Sequence, residues 1–542
     1  MAQTAPFTRI ASLLQEEKAE ISSIYFYAIL SGLIQLSLPL GIQAIIGFVM
    51  GGALSTSLII LVTLVVIGVL LNGILQMNQM KIIERIQQKI FVRYAFAFTH
   101  HIPRLDLQQT DNYYLPELVN RFFDIPVLQK SLSKILLDFP LAITQIFLGL
   151  LLLSFYHPMF IFFGFSLLLL LVLIFKATGN KGFQTSLQKS TYKYQVAGWL
   201  EEMARVIKQF KFSTNVGLHE KKADEKVVNY VEARKKHFFI LLLQYKVLIA
   251  FKVIITAAML TIGCFLLLNQ QINIGQFVAA EIVIIIVINA VEKLIINLDS
   301  AYSALTSVEK INKLLDKPAE RDGSFTTTID QPFQVQFKQV SFAYQKDRPI
   351  LNDVSFIIKP GQKVCITGKD GSGKSTVLKL LTGAYSSFHG AILVNEIPIG
   401  NYSLNYLRAN IGIVLNQQDV FDGTLWENIT LGDENIDVAY MTRLCQLTGL
   451  TSFISSLKEG FDTELDATGK RLPRNVIHKI LLVRALAHKP KLLLLEEPWQ
   501  GIDDETTRQI QHLLLEETKA TVIVATNDPQ FILQCDQTIT LS

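Results

Sequence analysis

The sequence predicts an all-α membrane domain of six crossing helices, followed by a soluble α/β domain built on a largely parallel sheet. Three observations carry this reading. Up to about residue 300 there are six apolar stretches, each near the ~20 residues that a bilayer crossing requires. Beyond about residue 330, short apolar runs alternate with helical segments, as buried parallel strands and their covering helices do. Half of the 542 residues are hydrophobic and only 18% are charged, the balance of a membrane protein with a soluble part. The net charge of +4 is small for this length and says little about partners; no nucleic-acid partner is expected.

The chain opens on "APFTRIASLLQEEKAE", which is amphipathic and charged and has no cleavable-signal pattern. Six spans follow, at about 24–50, 56–77, 135–155, 159–176, 247–268 and 274–298. The loops "GGALSTS", "YHP" and "NQQIN" contain no Lys or Arg. The long segments between spans two and three carry Lys81, Arg85, Lys89, Arg93, Arg104 and Arg121, and those between four and five carry Lys208, Lys211, Lys221, Lys222, Arg234 and Lys235. The positive-inside rule then places the long segments and both termini in the cytoplasm.

Those long segments keep a helical rhythm. "MKIIERIQQKIFVRYAFAF" and "LEEMARVIKQFKF" repeat apolar residues at three- and four-residue spacing. The transmembrane helices therefore extend into the cytoplasm, turning over near "TDNYYLPE" and "STNVGLHE". The composition predicts a membrane domain over 1–307, a charged, turn-rich linker over 308–330 and a second domain over 331–542. The four cysteines are scattered without CxxC pairing, which excludes a disulfide framework or zinc site.

In the second domain "FQVQFKQVSF" alternates as a half-buried strand, and "KVCIT", "KLLLL" and "TVIVAT" read as buried strands. Between "KVCIT" and the helix "STVLKLLTG" lies "GKDGSGKST": Gly368, Lys369, Asp370, Gly371, Ser372, Gly373, Lys374, Ser375 and Thr376. This is G-x-x-x-x-G-K-[ST] in the strand–loop–helix setting that the motif requires. Glycines let backbone N–H groups converge on phosphates, the helix N-terminus favours negative charge, Lys374 adds a cation, and Ser375 reaches Mg²⁺. The loop predicts binding of ATP. "LLLLEEP" delivers Glu496 and Glu497 to a strand end. Glu496 is placed to hold Mg²⁺ through water, and Glu497 to orient or deprotonate the attacking water.

With these features in one order, the chain resembles an ABC exporter half-transporter: a six-span membrane domain fused to a P-loop nucleotide-binding domain. "SLPLGIQAIIGFV" and "QQINIGQFVA" are similar to the type I secretion and bacteriocin-exporter branch. The resemblance implies a multi-pass protein of the bacterial inner membrane whose partner is a second half-transporter, in a homodimer or heterodimer. It implies two ATP molecules sandwiched between two such domains, coupling helices near 109–116 and 213–220, and an unknown transported substrate. It also implies that Tyr344 stacks on adenine and that Asp503 sits in the loop crossing between subunits. "FDGTLWENI" fixes a register in which Asn416 takes the place of the family's glutamine, with Gln417 adjacent as a substitute.

The match is uneven. Asn527 stands where the family has a histidine, and Glu496 where it has an aspartate. The Leu-Ser-Gly-Gly-Gln signature becomes Leu472, Pro473, Arg474, Asn475 and Val476. Pro473 offers neither hydroxyl nor N–H, and the side chains at 474 and 475 keep a γ-phosphate from the backbone. Intrinsic ATPase activity is therefore expected to be weak, and whether the chain acts as an enzyme by itself stays open. Three readings follow: a subunit completed by a better-equipped partner, a nucleotide-gated regulatory subunit with little turnover, or a homodimer in which Arg474 replaces the lost donors. For the cargo, Asp138, Lys246, Lys252, Glu281 and Asn289 are the polar residues at or near membrane depth.

Overall fold

The computed structural model describes residues 6–51, 56–110, 114–212, 217–328, 330–345, 348–416, 418–466 and 472–541. The chain divides into two compact units, Met1–Pro103 with Tyr113–Lys317, and Arg104–Asn112 with Pro318–Ser542.

The first unit is all helical: α1 (Pro6–Glu16), α2 (Lys18–Gln35), α3 (Ser37–Met50) and α4 (Thr56–His101). After α5 (Leu107–Thr110), which belongs to the second unit, come α6 (Leu115–Val119), α7 (Asp124–Tyr156), α8 (Met159–Arg205) and α9 (Ile207–Phe212). The unit ends with α10 (Leu218–Leu268), α11 (Ile274–Ile296) and α12 (Leu298–Leu315). Six stretches, Lys18–Met50, Thr56–Arg104, Leu115–Tyr156, Met159–Arg205, Leu218–Leu268 and Ile274–Leu315, are long and apolar enough to cross a membrane. At 46, 47 and 51 residues, α4, α8 and α10 far exceed a bilayer crossing. The break between α2 and α3 falls at Leu36, three residues before Pro39, whose ring fits the first turn of α3.

Charges fix the amphipathic α1 and the start of α2. Lys89 reaches Glu17 at 2.7 Å and Glu20 at 2.5 Å, Arg93 pairs with Glu16, and Arg9 reaches Asp316 at 2.7 Å. Asn273 opens α11 with a capping box: its side chain accepts from the Gln276 N–H at 2.8 Å, and the Gln276 side chain accepts from the Asn273 N–H at 2.9 Å. Residues 308–315, read from composition as the start of a linker, are the last two turns of α12. Val308, Ile311 and Leu314 recur at helical spacing and are buried, so packing holds them helical. The turnovers expected near 109–116 and 213–220 fall partly outside the described residues.

In the second unit β1 (Val335–Gln345) and β2 (Arg348–Ile358) lead to β3 (Lys363–Gly368) and α13 (Lys374–Leu381). Next are β4 (His389–Val394), β5 (Ile397–Pro398), α14 (Leu404–Ala409), β6 (Ile411–Val414), β7 (Gly423–Thr424), α15 (Leu425–Thr430), α16 (Val438–Leu447) and α17 (Thr451–Ser456). The last elements are β8 (Glu464–Leu465), α18 (Arg474–Ala487), β9 (Leu492–Glu496), α19 (Asp504–His512), β10 (Thr521–Ala525), α20 (Pro529–Ile532) and β11 (Gln537–Leu541). The central sheet, in the order β11-β3-β10-β9-β6, is parallel throughout. An antiparallel sheet, β2-β1-β4-β5, packs beside it. In β1, Val335 and Phe337 are buried, and so are Val340 and Phe342, although the parity has changed. A bulge around Gln339 (φ 48°) supplies the extra residue that returns the strand to the same core.

The parallel sheet positions the site. Strands β3 and β9 both pair with β10, so their C-terminal ends, carrying the glycine-rich loop and Glu496, open on the same edge.

Candidate functional site

The glycine-rich loop runs from the end of β3 into α13. Gly373 has φ 94°, and a Cβ there would lie 2.6 Å from Leu351 Cδ2, so only glycine closes the turn without strain. The Lys374 ammonium folds back over the loop, donating to the carbonyls of Gly368 at 2.7 Å and Lys369 at 3.0 Å, with Asp370 3.9 Å away. Ser375 donates to Glu496 Oε1, and the backbone N–H of Asn416 donates to Glu496 Oε2 at 3.0 Å. One carboxylate therefore ties the start of α13 to the segment after β6.

Glu497 follows with φ 42°, a left-handed conformation that costs a non-glycine residue energy. Its N–H donates to the carbonyl of Ala525 at 3.0 Å, and its Oε2 accepts from the Thr526 hydroxyl at 2.9 Å. These two contacts hold the strained residue in place.

A cavity of about 390 Å³ collects most of the residues singled out from the sequence: Tyr344, Asp370, Gly371, Gly373, Lys374, Ser375, Thr376, Asn416, Glu496 and Glu497. Ile350 and Ala525 complete its wall; as apolar residues outside any motif they gave no sequence signal. Thr526, which holds Glu497, was also missed; its position after the buried run "TVIVA" was the available clue. The Tyr344 hydroxyl lies 3.3 Å from Thr376 Oγ1, and its ring meets Phe342 and Tyr385 edge-on at 4.9 and 5.4 Å. Asn416 Oδ1 and Ser372 Oγ are buried without a hydrogen-bond partner. Asn527 exchanges two hydrogen bonds of 3.3 Å with the backbone of Gly368.

Gly368, Lys369, Ser372, Asn527 and Asp503 are not among the residues lining the cavity. Asp503 caps α19, accepting from the Thr506 N–H at 2.9 Å, which holds its carboxyl below the usual range. Gln417 lies outside the described residues.

Helix α18 begins at Arg474, with Pro473 at its cap, no side-chain capping bond, and the N–H of Val476 and Ile477 donating to the Pro473 carbonyl at 3.0 and 3.2 Å. Arg474 is 59% exposed, yet its guanidinium turns toward its own chain, donating to the Asn416 carbonyl at 3.2 Å and lying 3.7 Å from Asp419. His478, one turn on, is buried, its Nδ1 has no partner, and burial with the Arg474 charge holds it below the ordinary imidazole value.

Comparison with known proteins agrees with this geometry. The family model for the ABC transporter transmembrane region matches residues 22–291, and the one for the ABC transporter itself matches 351–500. The chain belongs to the ABC transporter family, with the membrane region and the ATP-binding domain fused on one polypeptide. Among its relatives is an ATP-dependent lipid A-core flippase of Saccharophagus degradans, 34% identical over 223 residues, which are 41% of this chain and 38% of the flippase. An exotoxin translocation ATP-binding protein of Pasteurella aerogenes is 30% identical over 257 residues, 47% of this chain and 36% of that protein. In these matches the chain spans less than half the length of the curated relative. A bacterial Atm1-family ABC exporter solved with ATP bound superposes with a TM-score of 0.83 at 19% identity, over 97% of this chain and 93% of that one. The fold is therefore that of an ABC exporter, and the chain is a multi-pass membrane protein.

Proposed function

We propose that this chain is the ATP-binding subunit of a two-subunit exporter that moves an unidentified cargo out of the cytoplasm. The observation that carries the reading is the convergence of Lys374, Ser375, Glu496 and Glu497 on one cavity. The residues there fit a nucleoside triphosphate and its metal: the loop turns where a Cβ would clash, and Asn416 Oδ1 and Ser372 Oγ are buried with unmet hydrogen-bonding capacity. The N–H groups of the loop, the start of α13 and Lys374 receive the phosphates, while Tyr344 flanks the base. Mg²⁺ held by Ser375 and Glu496 would neutralise charge on the phosphate oxygens. Glu497 orients the attacking water. Thr526 engages Glu497 Oε2 and directs Oε1 to that task.

Turnover in a homodimer is slow on this reading. A preorganised donor to developing charge contributes about 2.7–4 kcal/mol, and Pro473, Arg474 and Asn475 replace such donors. The contact of Arg474 with its own Asn416 carbonyl favours a local role over one on the opposite subunit's nucleotide. That supports the two readings in which a better-equipped half-transporter completes the site, or ATP gates without useful turnover. The proposed boundaries are a membrane domain over 1–307, a connection over 308–330 and an ATP-binding domain over 331–542. The basic long segments support placing both termini and the ATP-binding domain in the cytoplasm, at a bacterial inner membrane.

The test is ATP hydrolysis by the protein in lipid, alone and with a co-purifying half-transporter, with Lys374→Ala as control. Activity only with the partner supports heterodimeric export. Robust activity alone that Lys374→Ala abolishes refutes the slow-homodimer reading. ATP binding without turnover in either setting supports the regulatory one.

A further inference from the structure

The first unit holds a second polar cavity, of about 130 Å³, where α7, α8, α10 and α12 meet. Asp124, Ser186, Lys189, Ser190, Lys193 and Ser307 are among its lining residues. No part of the nucleotide chemistry uses it.

The cations around it outnumber the carboxylates: beside Asp124 and Glu117, Asp299 faces Lys189. Lys193 pairs with Asp124 Oδ1 at 3.0 Å. Lys310, on α12 one turn beyond Thr306, is only 5% exposed and donates to Thr191 Oγ1 at 2.7 Å; it has no carboxylate partner among the described residues. Lys189 likewise makes no ion pair there. Arg121, 4% exposed, gives one nitrogen to Glu117 at 2.9 Å, while its Nε and Nη1 are buried without partners. The Arg121 guanidinium lies 3.5 Å and the Lys193 ammonium 4.4 Å from the centre of the same Tyr194 ring, so these cations form one cluster. A buried ammonium without a counter-charge is costly, and an anion in the cavity relieves that cost.

The orphaned atoms say which anion. Ser190, 7% exposed, has an Oγ without a partner and can donate to an oxyanion. Asp124, 2% exposed, has an Oδ2 that makes no hydrogen bond, with the Tyr194 hydroxyl facing the same carboxylate, and so can accept from a further donor. A fully deprotonated oxyanion such as sulfate presents only acceptors and would face this carboxylate with like charge. Hydrogenphosphate, or a phosphomonoester near its second pKa of about 6, presents acceptors to the lysines and Ser190 and an O–H to Asp124.

We propose that this cavity binds a protonated phosphate group, with Lys189 and Lys193 neutralising it, Lys310 and Arg121 supplying the surrounding field, Ser190 donating a hydrogen bond to it and Asp124 accepting one from its O–H. The test uses the full chain carrying Lys374→Ala, which removes the cation of the nucleotide loop, in phosphatidylcholine nanodiscs; phosphate held by the loop's backbone N–H groups is the part that Ser190→Ala and Asp124→Asn leave unmoved. Radiolabelled inorganic phosphate should bind saturably, one per chain, and sulfate should fail to displace it. Ser190→Ala removes no bond from the protein itself and should weaken phosphate about tenfold, at an unchanged melting temperature without phosphate. Asp124→Asn should let sulfate compete as well as phosphate does. Sulfate competing equally in the Asp124 protein, or phosphate binding unmoved by both substitutions, would overturn the proposal. Adding phosphatidic acid to the nanodiscs identifies the source: lost uptake of free phosphate assigns the lipid headgroup, and retained uptake assigns the free ion.

Discussion

Restoring the signature, by Pro473→Ser, Arg474→Gly and Asn475→Gly together, is the sharpest test of the proposed slow turnover. The cost to the fold is small. Arg474 gives up one exposed ion pair at 3.7 Å and one hydrogen bond at 3.2 Å, about 0.2–1 and 0.5–1.5 kcal/mol respectively. Two glycines in the first turn of α18 cost up to about 1 kcal/mol each. A serine at the cap, where Pro473 makes no side-chain bond, returns about 1 kcal/mol. The net is on the order of 1–3 kcal/mol, less than the ~5–15 kcal/mol that holds a typical domain folded. Against this stands the gain of at least one preorganised donor, about 10²–10³ in rate, reduced by Asn416 and Asn527, which the change leaves in place. The assay is steady-state ATP hydrolysis in nanodiscs, with nucleotide binding and thermal unfolding measured on the same preparation. An unchanged rate in a variant that still folds and binds ATP would refute the reasoning that the signature limits turnover.

Three further outcomes follow from particular contacts. Thr526→Val keeps shape but removes the donor to Glu497 Oε2; hydrolysis, in whichever assembly supports it, should fall about tenfold with ATP affinity unchanged. His478 has a folded-state pKa below the unfolded value of ~6.5, so the unfolded chain binds more protons and stability declines as pH falls below that value. Thermal unfolding between about pH 7 and 5 should show this decline, and His478→Gln should flatten it. Within the membrane unit, Lys252 on α10 pairs with Glu292 on α11. Lys252→Leu alone should destabilise by about 1.5–3 kcal/mol, the pair being only partly buried, and adding Glu292→Leu should recover most of that, as read by denaturant unfolding in micelles.

Much of this was legible from residues. The six spans could be read because apolar length is a local property that no packing alters. Lys374, Ser375 and Glu496 could be singled out because phosphate chemistry requires those types at that spacing, and they line one cavity. The helical start of 308–330 was hidden in the sequence because Glu309, Lys310, Asn312 and Lys313 dominate the composition of 308–315, while Val308, Ile311 and Leu314 are buried on one face of α12. Depth alone left open whether Asp138 and Lys252 face a cavity or a partner; Asn297 donates to Asp138 at 2.8 Å and Glu292 pairs with Lys252.

By itself the sequence determined the class of each domain and the phosphate-binding loop, because hydropathy, periodicity and motif spacing are written along the chain. The tertiary structure decided which partners the polar groups take. It set Arg474 on Asn416 and Thr526 on Glu497, made Asp503 a helix cap, and gathered Asp124, Lys193 and Lys310 from three helices around one cavity. Apart from the local Asp503 cap, those contacts join residues from 29 to 119 positions apart, and only folding makes them neighbours.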